Sequence, residues 1–317
     1  MVRVPLRDPC VAVADDGLNA PLVGATDREA LLAWGRTELR DLPWRRTRDP
    51  WKVLVSEVMA QQTQVDRVVP LYERFVARLP HAHACAAAPV SAVLWLWAGL
   101  GYNRRAVALH DCAAAIVADH GGEVPDDLEA LLALPGVGPY TARAVLAFAF
   151  ERPVGVVDTN VGRVLARWAG RPLGAKEAQA RADALVPAGR PDWAWQWNQS
   201  VMELGATVCR RRAADCHRCP LAHRCSWGAA GRPQPDPADG SAGVSKPQSR
   251  FDGSDRQGRG RLVAALRQGP VPLGDLADVM GWPGDHARAT SVARGVVADG
   301  LAEHDGATVR LPALRRS

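Results

Sequence analysis

Four closely spaced cysteines are the residues with the clearest chemistry in this sequence. They are separated by six, two and five residues: Cys209, Cys216, Cys219 and Cys225. Four soft thiolates in one short loop are suited to hold a [4Fe–4S] cluster or a zinc ion. Zinc sites usually contain two C-x2-C pairs or pairs mixed with histidine, and this loop has one C-x2-C pair, so the spacing favours the cluster. Zinc remains the alternative, with His217 and His223 as further ligands.

Two glycines in a short turn between helices form a second candidate site. The sequence predicts a helix over 128–134, a tight turn over 135–139 and a second helix over 140–150. Gly136 and Gly138 would let the backbone approach a ligand closely, and the N–H groups at the start of the second helix would suit a phosphate. The alternative is an ordinary corner between two helices without a ligand.

An aspartate about twenty residues further on is the third candidate. Asp158 directly precedes a helical run in the segment VVDTNVGRVLAR. Its carboxylate could cap that helix and have no other role. It could also lie at the end of the hairpin, where a carboxylate stabilises a cationic sugar.

The elements that position these residues are predicted to be almost entirely helical. A helix capped by Thr26 and Asp27 runs to about Leu39, and apolar residues then recur at helical spacing from 51 to 225. No convincing run of alternating strands is found. We therefore predict an all-α fold.

The segments outside this helical region differ in character. Residues 1–25 are predicted to be a loose leader and residues 229–258, rich in Gly, Pro, Ser and Asp, a flexible linker. Residues 259–317 follow a helix–helix–helix–hairpin order, which resembles a small winged-helix unit with Arg288 and Arg294 on its recognition helix. The alternative is a compact helical appendage that binds protein or only packs.

Composition limits the class of protein and its partners. The chain has 317 residues, an apolar fraction of 47%, a net charge of +5 and a pI near 9.0. These values are typical of a core-forming protein, and the modest basic excess favours a polyanionic partner without proving one. We expect a cytoplasmic location, because neither a secretory signal nor a membrane span is found in the sequence. We also expect a nucleoid-associated monomer.

Five segments and the cysteine loop together resemble a known family. In order along residues 26–228, they are similar to the adenine DNA glycosylases of the MutY type: LPWRRTRDPWKVLVSEVMAQQTQV (42–65), GLGYNRRAVALH (99–110), LPGVGPYTARAV (134–145), VVDTNVGRVLAR (156–167) and WNQSVMELGATVC (197–209). The resemblance implies a helix–hairpin–helix glycosylase fold, in which two helical domains clasp duplex DNA, and a [4Fe–4S] cluster. It also implies excision of adenine mispaired with 8-oxoguanine or guanine.

The resemblance assigns roles to individual residues. Glu57 matches the acid that protonates the adenine ring, and Asp158, supported by Asn160, matches the carboxylate that stabilises the oxocarbenium-like sugar. Cleavage of a glycosidic bond requires one protonated and one ionised carboxyl group, so Glu57 needs a pKa raised by burial. The alternative for Glu57 is a solvated helix residue. Tyr140 stands where the family has a tyrosine or serine.

Further positions match residues that contact DNA or the base. Three match the residues that wedge into the base stack: Gln61, Gln62 and Tyr102. Five match the lining of the adenine pocket: Arg40, Leu42, Trp44, Arg45 and Gln199. Asn103 and Thr159 stand where many members have Tyr and Gly, and no functional change is assigned to either.

The residue after the hairpin separates subclasses of this fold. Relatives of endonuclease III place a lysine there to form a Schiff base and cut the strand. Tyr140 stands at that position here and none of the three lysines lies near the hairpin in sequence, so we predict a monofunctional hydrolase. A T/G or U/G mismatch glycosylase, or an endonuclease III-like enzyme, remains the alternative; Gln61, Gln62 and Gln199 favour adenine.

The C-terminal segment departs from the family pattern. Full-length members carry a nudix-like domain that recognises 8-oxoguanine opposite the adenine, and residues 259–317 do not match it. This difference leaves the strength of an 8-oxoguanine preference open. The winged-helix-like unit is a candidate to take over contact with DNA.

Overall fold

A computed structural model describes residues 22–187, 191–242 and 250–312, and almost all of its regular structure is helical. The helices are α1 (Ala25–Glu38), α2 (Pro50–Ala60), α3 (Val65–Arg78), α4 (Ala82–Ala87), α5 (Val90–Leu96), α6 (Arg104–His120), α7 (Leu128–Ala133), α8 (Pro139–Phe148), α9 (Thr159–Ala169), α10 (Ala175–Leu185), α11 (Pro191–Glu203), α12 (Ser226–Ala229), α13 (Asp255–Leu266), α14 (Leu276–Met280) and α15 (His286–Ala298). The strands are β1 (Val271–Pro272), β2 (Glu303–His304) and β3 (Thr308–Arg310). The predicted all-α class is confirmed, with one small sheet.

Helices α2 to α8 surround the first of two apolar cores. Helix α2 is apolar around most of its circumference, so it lies buried at the centre of this domain. Trp51 at its start is buried and donates its indole N–H to the carbonyl of Leu79, 3.0 Å away, at the end of α3. A functional side chain on α2 is therefore held by packing on every side.

Helices α1, α9, α10 and α11 enclose the second core, so the N-terminal helix packs against the later part of the chain. Helix α1 begins at Ala25, and the side chain of Asp27 accepts the backbone N–H of Gly24 at 2.8 Å. Val23 is already buried, although it falls in the predicted leader of residues 1–25; residues 1–21 of that leader lie outside the described residues. Two helical domains result, as predicted.

The hairpin between α7 and α8 lies where the sequence predicts it, with helix ends shifted by one or two residues. Gly136 has a φ of 75°, the left-handed region that favours glycine. A Cβ atom at this position would lie 2.8 Å from the Cβ of Ala108 on α6. The turn therefore needs glycine both for its backbone conformation and for its close packing on α6.

The predicted linker over residues 229–258 differs from the structure at both ends. Asp236 forms an ion pair with the buried Arg167 at 2.5 Å, and the N–H of Ala242 donates to the carbonyl of Leu173 at 2.7 Å. At the other end, α13 begins at Asp255 and is capped by the side chain of Ser254. Residues 243–249 lie outside the described residues. The composition favoured a linker because it does not reveal that a carboxylate here neutralises a distant buried arginine.

The C-terminal unit combines α13, α14 and α15 with a three-stranded antiparallel sheet of order β1-β3-β2. Strands β2 and β3 form the predicted hairpin, with Glu303 opposite Arg310 and His304 opposite Val309. Its apolar residues belong to the same buried cluster as the first domain. Across the described part of the chain, we find no helix with the length and apolar character needed to cross a membrane.

Candidate active site

Glu57 occupies a buried position on α2, where the domain core excludes water. Glu57 is 7% exposed, and its carboxylate oxygen Oε2 accepts a hydrogen bond from the Tyr140 hydroxyl at 2.8 Å. The pKa of Glu57 is raised to about 7, mainly by burial and also by the charge of Asp158, against the opposing effects of the Tyr140 hydrogen bond and the charge of Arg45. A substantial fraction of Glu57 is therefore protonated near neutral pH, as a general acid requires.

Asp158 is both a helix cap and a member of the same buried site. Its side chain accepts the backbone N–H of Val161 at 2.7 Å at the start of α9, and the Asn160 amide donates to it at 2.8 Å. Burial raises its pKa, and these two hydrogen bonds oppose that effect. Asp158 can cap the helix and also act in the site, because capping uses only its Oδ1 atom and the carboxylate keeps its negative charge.

Tyr140 contacts Glu57 and lies within electrostatic reach of Asp158. The pKa of its hydroxyl lies well above the usual value, because the side chain is buried and because Glu57 and Asp158 both place negative charge near it. The hairpin supplies Tyr140, α2 supplies Glu57 and the N-terminus of α9 supplies Asp158. The buried Glu57 and the partly buried Asp158 thus lie close enough for their charges to interact, and the Tyr140 hydroxyl donates to the first of them.

Arg45 connects predicted pocket residues from two distant segments and lies near enough to Glu57 to lower its pKa. Arg45 donates from Nε to the Gln199 side-chain carbonyl at 2.7 Å and from Nη1 to the backbone carbonyl of Arg40 at 2.9 Å. Leu42 is buried, and the Trp44 ring packs edge-on against Tyr72 with 5.3 Å between ring centroids. Four of the five predicted lining residues thus come from the segment before α2, and Gln199 comes from α11.

Glu203 is a residue of this pocket that the sequence analysis did not single out. Its side chain is fully buried and pairs with Arg40 at 2.5 Å and with Arg45 at 2.8 Å. It lies four residues after Gln199 on α11, so both side chains occupy one face of the helix. The sequence signal that could have identified it is a glutamate on the predicted buried face of a helix. Its charge is offset by two arginines from the segment between α1 and α2.

The three predicted wedge residues lie on two loops with unusual backbone geometry. Gln62 has a φ of 53° and Tyr102 a φ of 47°, a left-handed conformation that non-glycine residues rarely adopt. Both side chains are exposed, whereas Gln61 is partly buried and donates to the Thr141 hydroxyl at 3.2 Å. Strained backbone of this kind concentrates at functional sites and persists only when its surroundings hold it.

Arg105 holds these two loops together and was also missed by the sequence analysis. Its guanidinium donates to the carbonyls of Val58, Met59 and Gln61 at 2.6–2.9 Å, and to Gly101 at 3.2 Å. Its pKa is lowered to about 10 by burial. One arginine at the start of α6 therefore fixes the end of α2 against the loop that carries the exposed tyrosine.

The N-terminus of α8 is open for a phosphate. Gly138 is the N-cap residue, Pro139 follows it, and no side chain caps the helix. Backbone N–H groups at an uncapped helix N-terminus, together with the helix dipole, suit an anion. The predicted phosphate contact at Gly136 and Gly138 is consistent with this geometry.

The four predicted cysteine ligands line one cavity of about 240 Å³. Burial raises the pKa of the Cys209 and Cys225 thiols, and raises that of Cys219 to about 11, with the neighbouring cysteines adding to the effect. Arg167 donates to the Cys209 sulfur at 3.2 Å and supplies a buried positive charge. Four thiols around a partly apolar cavity that is also lined by Arg167 and Arg232 fit an anionic four-cysteine cluster. Within the described ranges, no three His, Cys, Asp or Glu side chains are placed to hold a single metal ion.

The two histidines that a zinc site would recruit have other partners. His217 is exposed and lies 2.9 Å from Asp215, and His223 lies 2.9 Å from the buried Asp27 of α1. Neither His217 nor His223 lines the cavity between the cysteines. The histidine-assisted alternative is therefore not supported by their placement.

A chain of hydrogen bonds connects the cysteine loop to Asp158. Arg163 donates from Nε to the carbonyl of Cys209 at 2.7 Å and from Nη2 to the Asn160 side-chain oxygen at 2.8 Å. Asn160 in turn donates to Asp158. The position of the catalytic candidate is thus tied to the cysteine loop through two side chains.

Comparison with known proteins first defines the class. The family model described as "HhH-GPD superfamily base excision DNA repair protein" matches residues 55–188. A solved structure titled as a thermostable thymine-DNA glycosylase superposes with a TM-score of 0.59 at 31% identity, over 65% of this chain and 98% of that one. The fold is that of a helix–hairpin–helix DNA glycosylase.

Comparison over most of the chain length then identifies the family. The chain is 42% identical over 275 residues to the adenine DNA glycosylase of Mycolicibacterium smegmatis, covering 86% of this chain and 91% of that one. It is 43% identical over 278 residues to that of Mycobacterium tuberculosis, covering 86% and 88%. The protein belongs to the adenine DNA glycosylase family.

Proposed function

We propose that this protein removes adenine mispaired with 8-oxoguanine or guanine from duplex DNA, as a monofunctional glycosylase. The observation that carries the proposal is the proximity of two carboxyl groups: Glu57 is buried, accepts a hydrogen bond from Tyr140, and has its pKa raised by the charge of the partly buried Asp158. A base must leave the stack to reach such a buried pair, so the enzyme extrudes the nucleotide first. The strained loops with Gln62 and Tyr102 are suited to occupy the vacated space.

The two carboxyl groups take different roles in the reaction. The bond between adenine and C1′ of the sugar breaks, its electron pair goes to the base, and protonated Glu57 donates a proton to the leaving ring. The carboxylate of Asp158 stabilises the positive charge that develops on the sugar. Water then adds to C1′ and gives up a proton, which restores the acid. Tyr140 holds the Glu57 carboxyl group in place through its hydroxyl.

The lysines of the chain support hydrolysis without strand cleavage. Lys52 pairs with Asp49 on the outside of α2, and Lys176 lies in the first turn of α10. Lys246 lies outside the described residues. Tyr140 fills the position at the hairpin where a Schiff-base lysine would stand, and a phenol does not form that intermediate.

We also propose that the four cysteines hold a [4Fe–4S] cluster. When bound, such a cluster crosslinks a loop that has little core of its own. Purified protein is expected to be brown and to contain four iron atoms per chain, about as many as its ligand thiols. Stoichiometric zinc in a colourless protein would overturn this assignment.

The substrate assignment is tested with a panel of duplexes that differ at one pair. The panel contains adenine opposite 8-oxoguanine, adenine opposite guanine, thymine and uracil opposite guanine, and thymine glycol. We expect base release from the two adenine duplexes and strand cleavage only after alkali. Faster release of thymine or uracil opposite guanine would support the mismatch glycosylase alternative.

The pH dependence of excision follows from the raised pKa of Glu57. Glu57 must be protonated to donate its proton. The single-turnover rate of base release, measured with enzyme below saturation, should therefore be highest below pH 7 and fall as the pH rises through about 7. The decline should follow one ionisation in the free enzyme. A rate that is flat from pH 6 to about pH 9 would contradict the role of Glu57 as the acid.

Replacing Glu203 by glutamine should shift this profile. Glu203 offsets the charge of Arg45, and Arg45 lowers the pKa of Glu57. Without Glu203, the full charge of Arg45 should lower the Glu57 pKa, so the decline in rate should begin at lower pH. The change should also cost stability, about 3–5 kcal/mol, because two arginines lose a buried partner.

The control for that variant is Glu177→Gln. Glu177 also pairs with two arginines, Arg171 and Arg181, but on the surface of α10. It should leave the pH profile unchanged. A lower rate for Glu203→Gln with no displacement of the profile would assign Glu203 a structural role only.

A further inference from the structure

The C-terminal unit is fixed against the loop that carries Tyr102. Arg267 at the end of α13 donates from Nε to the carbonyl of Leu94 at 3.1 Å, and Arg104 at the start of α6 pairs with Asp299 at 3.3 Å. The apolar residues of the two parts belong to one buried cluster. A surface that spans the junction is therefore held in a defined geometry.

Two exposed aromatic rings and a guanidinium meet at this junction. The Arg256 Nη1 atom lies 3.5 Å from the Tyr102 hydroxyl, and its guanidinium carbon lies 5.8 Å from the centre of the Phe251 ring. Phe251 is 54% exposed and Tyr102 is 41% exposed. We call Phe251, Arg256 and Tyr102 the junction edge. Aromatic faces beside an arginine are the combination that contacts unpaired bases and phosphates in nucleic acids.

One of the two arginines predicted on the recognition helix of the winged-helix unit is held by contacts within that unit. Arg288 pairs with Asp255 at 2.7 Å, donates to the carbonyl of Gly253 at 2.8 Å, and lies 4.0 Å from the centre of the Trp282 ring. These contacts use the guanidinium within the unit. They also neutralise Asp255, the acidic residue next to Arg256, so that it repels an approaching phosphate less.

We propose that the junction edge binds the DNA strand opposite the extruded nucleotide. Arg256 contacts a phosphate of that strand, and Phe251 packs against the nucleotides next to the unpaired base. Helix α15, the predicted recognition helix, does not carry the contact. The proposal rests on the proposed function for one point only, the placement of Tyr102 at the site of base extrusion. The C-terminal unit thus extends the DNA-binding surface of the glycosylase domain.

The test compares single replacements of two arginines, Arg256 and Arg294, in the full-length protein. Affinity is measured between about 50 and 200 mM salt for a duplex with 2′-fluoro-deoxyadenosine, which resists hydrolysis, opposite 8-oxoguanine. Arg256→Gln should reduce the slope of log K against log salt by about 0.9, the value for one lost phosphate contact. Arg256→Lys should restore the slope, because it retains the charge.

Arg294→Gln is the matched control, since Arg294 is an exposed arginine on α15. It should leave the slope unchanged. Phe251→Ala should weaken binding about tenfold without a change of slope, because a stacking contact releases no counterions. A reduced slope for Arg294→Gln with a normal slope for Arg256→Gln would overturn the proposal in favour of the recognition helix. Equal slopes for all variants would overturn it as well.

These results are separable from the failure of the proposed function. If the duplex panel shows release of thymine and not of adenine, the substrate assignment fails. The salt slopes are then repeated on a duplex with the base that is released, in its 2′-fluoro form. The proposed DNA contact of the junction edge is tested by those salt slopes alone.

Discussion

Replacing Glu57 by glutamine is expected to lower the single-turnover rate of adenine release by about 10²–10⁴-fold, the range for loss of a general acid. Glutamine has nearly the shape of glutamate, and its side-chain oxygen can still accept the hydrogen bond from the Tyr140 hydroxyl. It has no carboxyl proton to give to the base. The variant should therefore fold and bind mispaired duplex with nearly unchanged affinity while it releases almost no adenine.

The same substitution on the surface provides the control. Glu73→Gln, on the exposed side of α3, changes charge by the same amount and should retain full activity. The rate is measured with enzyme in excess over a duplex that carries adenine opposite 8-oxoguanine. Glu57→Gln with a rate within about threefold of the unchanged protein would remove Glu57 from the acid role.

Replacing Asp158 by asparagine should have an effect of similar size for a different reason. Asn caps helices about as well as Asp, so α9 should keep its start and the protein its stability. The neutral amide no longer stabilises positive charge on the sugar, and loss of such a preorganised interaction costs about 10²–10³ in rate. We expect the rate to fall by that factor with DNA binding retained.

Asp127→Asn is the matched variant for Asp158→Asn. Asp127 caps α7 through the same contact, since its side chain accepts the N–H of Ala130 at 3.0 Å. It lies outside the buried carboxyl site, so its replacement should leave the rate unchanged. If both variants lose stability equally and neither loses activity beyond that, Asp158 is a helix cap only.

The features that the sequence predicted well depend on local patterns. The helical cores follow from apolar spacing, and the hairpin follows from the glycines at 136 and 138, one of which needs a left-handed backbone. The four cysteines that line one cavity lie within seventeen consecutive residues, 209–225. Each of these signals is carried by residues close together in the chain.

The residues that the sequence analysis missed act over long distances in the chain. Glu203 pairs with arginines more than 150 residues away, and Arg105 binds carbonyls of a helix end more than 40 residues earlier. Arg163 connects the cysteine loop to Asn160 through a backbone carbonyl. An arginine or glutamate in a helical pattern is usually solvated, and only the packed structure shows that these side chains are enclosed.

The predicted linker was also misjudged because a long-range contact is not visible in the local sequence. A segment rich in Gly, Pro and Asp has few residues to bury, so composition favours a flexible chain. Asp236 nevertheless lies against Arg167, whose side chain is 1% exposed and also contacts Cys209 and the Trp227 ring. The requirement to neutralise that arginine orders the chain after the cysteine loop, and no local pattern reports it.

The most direct test of the account is a crystal structure of the Glu57→Gln variant on a duplex with adenine opposite 8-oxoguanine. We predict that the adenine is extruded, that its ring lies within hydrogen-bond distance of residue 57, and that the Asp158 carboxylate faces C1′ of the same nucleotide. An adenine that stays in the stack, or that enters a cavity lined by neither residue, would contradict the account.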